Sequence, residues 1–470
     1  MNDNNDKQVL TAAYEAWMQC GPLREKRRRL KGYTYGRQWD DIITTPEGKR
    51  MSEGEYASMS GKTPLTNNLI RQLVKSVVGR FRYDLSQRKD DGVDATVASR
   101  NMLEELDCRM LEEFLISGCA VQRIVEERRI GGDGVWVDNV SPERFFVNRF
   151  SDPRSNDVEI AGMLHDMSLR EVIMRFGRGE PERVARLSSI WRDDSGVGEE
   201  GGETEFFRSA EPGRCRVIEV WTLETRSIIK CHDPERAVRF TLRGGDKDRL
   251  ATVNRNRRHR GRAEIVAYPK MTVRWHYRYF APNGEVLQEG DSPYAHGLHP
   301  FAIKFYPMTD GEIHSFVEDI VDQQRYINRL ITLIDHIMTT SAKGVLLFPV
   351  EALPKEMDYF DVSREWSRPN GVLPYCGGAR GLKPEQVSSN GANAGASELL
   401  AQELKLIETI SGVSGALQGH TPTGNMSASA YENSMRNSEI ALLDIFNSFM
   451  SFRLTRNRLI EETRVVKLPY

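Results

Sequence analysis

The chain lacks cysteines at disulfide-framework or metal-site spacing. Its six, Cys20, Cys108, Cys119, Cys215, Cys231 and Cys376, are scattered through 470 residues with no C-x-x-C pair. That spacing argues against a zinc site and a disulfide framework and fits a reducing compartment. No apolar run reaches the roughly eighteen residues of a membrane span, so none is expected. The N-terminus, MNDNNDKQVL, has no apolar core and is not a signal peptide. Charge of one sign is also missing, because 65 Lys and Arg stand against 67 Asp and Glu, for a net charge of -2. A simple nucleic-acid binder carries a basic excess. The balance therefore excludes tight, static binding over the whole surface and leaves local contacts, or a channel that does not grip.

Catalytic signatures are absent as well. There is no G-x-S-x-G nucleophile elbow and no H-E-x-x-H. The stretch GHTPTGNMSASAYENS, Gly419 to Ser434, has two glycines in the frame of a phosphate loop. That loop needs a Lys for the phosphates and a hydroxyl for Mg²⁺. Asn425 and Met426 occupy those places. The preceding SELLAQELKLIETISG also reads as a helix, where the motif requires a strand. What remains is a flexible Gly/Ser/Thr-rich loop between two helices. His296 and His299 in YAHGLHP lack an obvious third ligand, and Cys231 and His232 are adjacent, so no metal site is expected. Asp319, Asp322 and Gln323 are spread along one helix, and read as a solvated or subunit-facing polar stripe rather than a nuclease metal cluster. No cofactor and no enzymatic activity are expected.

The length predicts two to four structural units, and a hydrophobic content of 39% is globular. One helix is expected over 9–31, ending in the basic run REKRRRLKG as a solvated helix end. Thr63 to Arg82 is expected as a helix with Pro64 near its start. Leu69, Ile70, Leu73, Val74, Val77, Val78 and Phe81 there keep a helical period. Another helix is expected over 97–116. CAVQRIVEERRI, GVWVDNVSP and ERFFVN read as strands, SLREVIMRFG as a helix, and Arg192 to Gly213 as a polar loop. Residues 215–306 alternate as strands. Within them NRNRRHRGR, with Arg255, Arg257, Arg258, Arg260 and Arg262, is an exposed loop that is either solvated or in contact with phosphates. A helix of roughly 40 Å runs from Ile313 to Thr340. An insert follows, with KGVLLFPVEAL and RPNGVLPY as short strands and SSNGANAGAS as a linker. SELLAQELKLIETI is a second helix. Ser429 and Glu432 form a capping box for a last helix with Ile440, Leu443, Phe446, Met450 and Leu454 on one face. The fold class is α+β, and no internal repeat is apparent.

The order of these elements resembles the portal proteins, or head–tail connectors, of tailed double-stranded DNA bacteriophages. GRQWDD with NNLIRQLVKSVVGRFR is similar to the N-terminal region of that family. NVSPERFFVNRFSDPRSNDVEIAGMLHDMSLREVIMRFG resembles its strand, P-x-x-F turn, Asp-bearing loop and S-x-x-E helix start. DGEIHSFVEDIVDQQRYINRLI resembles its helix with Asp-Gln and Ile-Asn pairs. ETISGVSGALQGHTPTGNMSASA resembles its glycine-spaced loop before the last family helix.

The resemblance implies a ring of twelve subunits around a channel at one capsid vertex of the virion, assembled in the host bacterial cytoplasm. Double-stranded DNA would pass through it. The terminase large subunit, head–tail adaptor and tail proteins, and the major capsid and scaffolding proteins would be its partners, with no membrane involved. The N-terminal helical part of the wing would span 1–130 and the β-rich wing 131–312, with a polar insertion near 192–213 that matches no family role. The descending stem helix would be 313–341, the clip 342–396, the ascending stem helix 397–411, the tunnel loop 412–426, and the C-terminal helix and crown 427–470. The chain ends at RVVKLPY soon after that helix, so no long C-terminal barrel is expected. In the tunnel loop, Gly412, Gly415, Gly419 and Gly424 would permit bending. Gln418, His420, Thr421, Thr423 and Asn425 would touch phosphates without gripping them, whereas a ring of lysines would hold the polyanion. The rival readings are a DNA-acting enzyme, which lacks its motifs here, and an adaptor or coat-like capsid protein. Closed cyclic symmetry separates the portal from the second rival.

Overall fold

The computed structural model describes residues 2–87, 92–129, 131–191, 202–242, 247–341, 345–367, 372–377, 383–387, 392–419 and 428–463. The expected first helix is two, α1 (Asn2–Gln19) and α2 (Gly21–Thr34), parted at Cys20, whose thiol donates to the Val147 carbonyl. A short hairpin, β1 (Ile42–Thr44) and β2 (Arg50–Ser52), leads into α3 (Glu53–Met59) through a capping box between Ser52 and Glu55. The next helix, α4 (Leu69–Gln87), begins later than expected, and Pro64 lies outside it. Its periodic residues Ile70, Leu73, Val74, Val77 and Phe81 are buried as the period requires.

The helix expected over 97–116 is also two, α5 (Ala95–Asn101) and α6 (Leu103–Ser117), because Met102 turns left-handed at φ 50°. The predicted strands follow as β3 (Cys119–Arg129), β4 (Gly132–Asn139) and β5 (Phe145–Val147), then β6 (Ile160–Met167). The S-x-x-E start holds, since Ser168 and Glu171 cap α7 (Leu169–Phe176), and α8 (Pro181–Ile190) begins on its proline. The polar insertion departs from expectation. Residues 202–207 form α9 (Gly202–Phe207), because Phe206 is fully buried against Tyr14, Trp17 and Phe146. Then come β7 (Cys215–Asp233), β8 (Val238–Leu242), α10 (Lys247–His259), β9 (Val266–Phe280), β10 (Val286–Asp291), β11 (Phe301–Phe305), β12 (Pro307–Thr309) and β13 (Glu312–Ile313).

The long helix is α11 (Phe316–Ser341), starting three residues after the expected Ile313, which pairs instead in β13. At 26 residues it is about 39 Å long. In the insert, β14 (Val345–Leu347) pairs not with RPNGVLPY, whose described residues 372–375 carry no strand, but with β15 (Glu385–Val387) beyond α12 (Tyr359–Ser367). The second helix, α13 (Ala392–Ser411), begins inside the expected linker. Ser429 and Glu432 fall within α14 (Ala428–Ala441) rather than capping it, and the last helix is a separate α15 (Leu443–Glu462).

The chain divides into two compact units, one of 1–28, 78–315 and 443–470, the other of 29–77 and 316–442. In the first, an antiparallel sheet runs β10-β9-β7-β6-β5 with β8 on β7, beside a three-stranded sheet β11-β3-β4. Phe145, Trp221, Trp275 and Phe301 belong to one of its buried clusters. Two ionic centres are buried with it. Arg123 pairs with Glu219, which also bonds His165 and the Trp221 indole, and the Arg123 guanidinium holds the Glu219 carboxyl far below its usual range against the cost of burial. Asp107 takes both Arg453 and Arg456 at 2.7 and 2.9 Å. That second centre corrects the expected apolar face of the last helix. Ile440, Leu443 and Leu454 are exposed, and the buried side of α15 carries Phe449, Phe452, Leu459 and Ile460 together with the two arginines. A reading by hydrophobicity turns arginines outward, and here the partner carboxylate turns them in.

In the second unit α11 packs against α13. A polar ladder on α11 explains the late start of α4. The Gln324 side-chain carbonyl accepts from the Leu69 and Ile70 N–H groups and its amide donates to the Asn67 carbonyl. Asn328 accepts from Asn67 N–H and Thr332 from Leu65 N–H. Gln324, Asn328 and Thr332 recur every four residues on one face and hold this segment extended, with its N–H groups satisfied outside any helix.

Candidate functional site

The segment after α13 is the strongest candidate from sequence, and its described half is tied down. Gly412 ends the helix at φ +66°, and a Cβ there would lie 2.7 Å from that of Ala441. Only glycine suits both the backbone and the close approach. Val413 is fully buried. The Ser414 N–H donates to the Ser438 hydroxyl at 3.1 Å, and that hydroxyl donates to Ser414 Oγ at 2.8 Å. Tyr431 donates its hydroxyl to the Ala416 carbonyl at 3.2 Å. Gln418 donates to the Val413 carbonyl and accepts from the Gln72 amide. Residues 412–419 are therefore a hydrogen-bonded turn seated on α14. Gly419 takes φ +81° with nothing near its absent Cβ. His420, Thr421, Thr423, Gly424 and Asn425 lie outside the described residues.

The same stretch is uncharged over a longer span than the motif suggested. From Thr409 to Tyr431 there is no Lys, Arg, Asp or Glu, in a chain that is 28% charged. It presents hydroxyls, amides and backbone groups, which hydrogen-bond a phosphate without displacing its counterions.

The basic stretch is not a loop. Arg255, Arg257 and Arg258 lie on α10, and Arg260 and Arg262 in the turn after it. The alternating strands around it masked a helical segment made of polar residues, which no apolar period marks. Arg257 is spent on Asp233 at 2.5 Å, a pairing that holds the Asp233 carboxyl down at about 2. Arg258 pairs with Glu264 at 2.6 Å. Arg255, Arg260 and Arg262 are exposed.

The remaining candidates do not converge. Among the described residues no group of three His, Cys, Asp or Glu could hold a metal ion. The Nδ1 atoms of His296 and His299 accept from the Leu298 and Phe301 N–H groups, and burial pushes both imidazoles down to about 4. Asp319 and Asp322 are exposed on α11. The buried polar residue there is Gln324, a neighbour of the Gln323 that sequence singled out. Its signal was available in the spacing of Gln324, Asn328 and Thr332. Among the described residues no helix is long and apolar enough to cross a membrane.

A model of the phage P22-like portal protein family matches residues 10–457, nearly the whole chain. The chain belongs to that family. No curated protein matches it. Portal proteins are structural components of the phage capsid, head–tail connectors that serve DNA packaging. The missing nucleotide loop is in keeping with that role. The candidate site of this portal protein is a length of uncharged chain whose described half is tied to α14.

Proposed function

We propose that the chain forms a closed ring of twelve copies at one capsid vertex, through whose channel genomic DNA is packaged and later ejected. In this reading α11 and α13 are the two stem helices. The residues between them form the clip that meets the terminase large subunit and, afterwards, adaptor and tail proteins. Residues 412–426 face the DNA. The observation that carries the reading is the uncharged run from Thr409 to Tyr431, set directly after a pair of packed helices in a family of DNA-conducting capsid proteins. Sliding DNA must meet a surface that does not accumulate released counterions as binding energy. The tethering of 412–419 to Ser438 and Tyr431 supports it further, because a lining must keep its place under load.

Negative-stain electron microscopy of the purified protein, with native mass to count subunits, tests the proposal. Rings of twelve copies with a central hole are expected. A flat lattice, or a chain that stays monomeric, would contradict it.

A further inference from the structure

The net charge of -2 conceals a division. Between Thr225 and Trp275 fourteen Lys and Arg stand against five Asp and Glu, a net of +9, so the rest of the chain carries -11. The described residues of this basic segment form one structural piece. The far half of β7 pairs with the near half of β9 from Thr225↔Val273 to His232↔Val266, and β8 adds a third strand. Successive residues of a strand face opposite sides. Met271 and Val273 share one side, Val266 and Tyr268 the other, and all four are exposed, at 62, 58, 57 and 45%. The other end of the same strands buries Trp221, Trp275 and Phe280. This arm thus has apolar residues open to water on both faces, and a small sheet in that condition gains little stability from itself. Apolar surface rimmed by charge marks an interaction site.

We propose that this arm is the element by which one copy of the chain grips the next in the ring, docking on an acidic face of its neighbour. The proposal rests on the ring reading above. Three observations favour a second copy over DNA as the occupant. A phosphate backbone offers no surface to cover Met271, Val273, Val266 and Tyr268, whereas a protein face does. The remainder of the same chain supplies the opposite charge, -11 against +9. A closed ring of identical copies joins two different patches of each subunit, and a basic arm with an acidic body is such a pair. Arg255, Arg260 and Arg262 make no ion pair among the described residues and are left to engage the neighbour, while Arg257 and Arg258 shape the arm itself through Asp233 and Glu264. Complementary charge of this kind speeds encounter and selects the partner.

The test compares the full-length wild-type chain, the triple variant Arg255→Glu/Arg260→Glu/Arg262→Glu, and Met271→Asp by native mass and sedimentation. Circular dichroism melts confirm that each is folded, and Met271→Asp probes the apolar face without touching the arginines. Wild-type rings are expected to loosen as salt rises from about 0.1 to 1 M. Both variants should need at least roughly tenfold more protein to assemble, with the triple variant losing the salt dependence. Folded variants that assemble as readily as wild type overturn the proposal and leave the ring reading standing. Variants with intact rings that have lost only duplex-DNA retention overturn it in favour of a nucleic-acid surface. A wild-type chain that stays monomeric overturns the ring reading itself, and the grip with it.

Discussion

Two stretches of this portal protein differ more in charge than any count over the whole chain reveals. Thr409 to Tyr431 has no charged side chain, and Thr225 to Trp275 has a net charge of +9. Both were candidates for meeting DNA on sequence grounds, the first for its glycines and the second for its arginines. The structure gives them different physical characters. The uncharged stretch begins as a turn pinned to α14 by Ser438 and Tyr431. The basic stretch is a sheet arm with a helix, exposing apolar residues on both faces. The lesson is that near-neutral net charge here means segregation, not uniform dilution. A surface over which a polyanion must slide is best left uncharged. A surface that must select a protein neighbour gains from concentrated charge.

The comparison can be broken most sharply by moving charge into the uncharged stretch. Gln418→Lys with Thr423→Lys should raise the affinity of assembled rings for duplex DNA by at least about tenfold at low salt. The salt slope should steepen by about 0.9 per added phosphate contact. Fluorescence anisotropy across a salt series reads both, and an unchanged slope would remove the stretch from the channel. Next in size is Gly412→Ala, which forces a side chain into φ +66° and against Ala441. The cost is about 2–3 kcal/mol, from the left-handed backbone and the overlap together, seen as a lowered melting temperature. If Ala is tolerated without loss, the turn is not held as described. Tyr431→Phe removes one hydrogen bond to the Ala416 carbonyl and should cost about 1 kcal/mol, read in the same melts.

A pH-dependent effect concerns the root of the basic arm, where the His299 ring meets the Trp275 ring edge-on at 4.7 Å. Burial lowers His296 and His299 from 6.5 to about 4 in the folded protein. Between those values the unfolded chain binds more protons than the folded one, so stability falls as pH drops from 6.5 toward 4 and is fully present above 6.5. His299→Asn keeps an acceptor near the Nδ1 position and cannot titrate. Melts against pH should show a shallower fall in this variant, and an identical slope would refute the assignment.

Much of the fold was legible in sequence where burial and period agree. The α4 stripe, the strands β3, β7 and β9, and the Ser168–Glu171 cap lie where pattern and capping chemistry place them. The helix break at Cys20 was legible in the Gly21-Pro22 that follows it, whereas those at Met102 and Leu442 were not, because neither residue carries a turn signal. Polar residues that work inward were also missed. Arg453 and Arg456 belong to the core only because Asp107 waits there from a distant helix, and Gln324, Asn328 and Thr332 serve a segment far away in the chain. For the candidate site, the sequence marked the right stretch and the glycine at 412. It did not reveal that 412–419 is tethered, since the partners Ser438 and Tyr431 sit on the next helix.

The central claim is that DNA meets the uncharged stretch while the basic arm meets a neighbouring copy. A photo-crosslinking residue placed at Thr423 in one preparation and at Arg255 in another, each assembled into particles that are packaging DNA, tests it directly. A DNA adduct from position 423 and a dimer of the chain from position 255 are expected. A DNA adduct from 255 with none from 423 would contradict it.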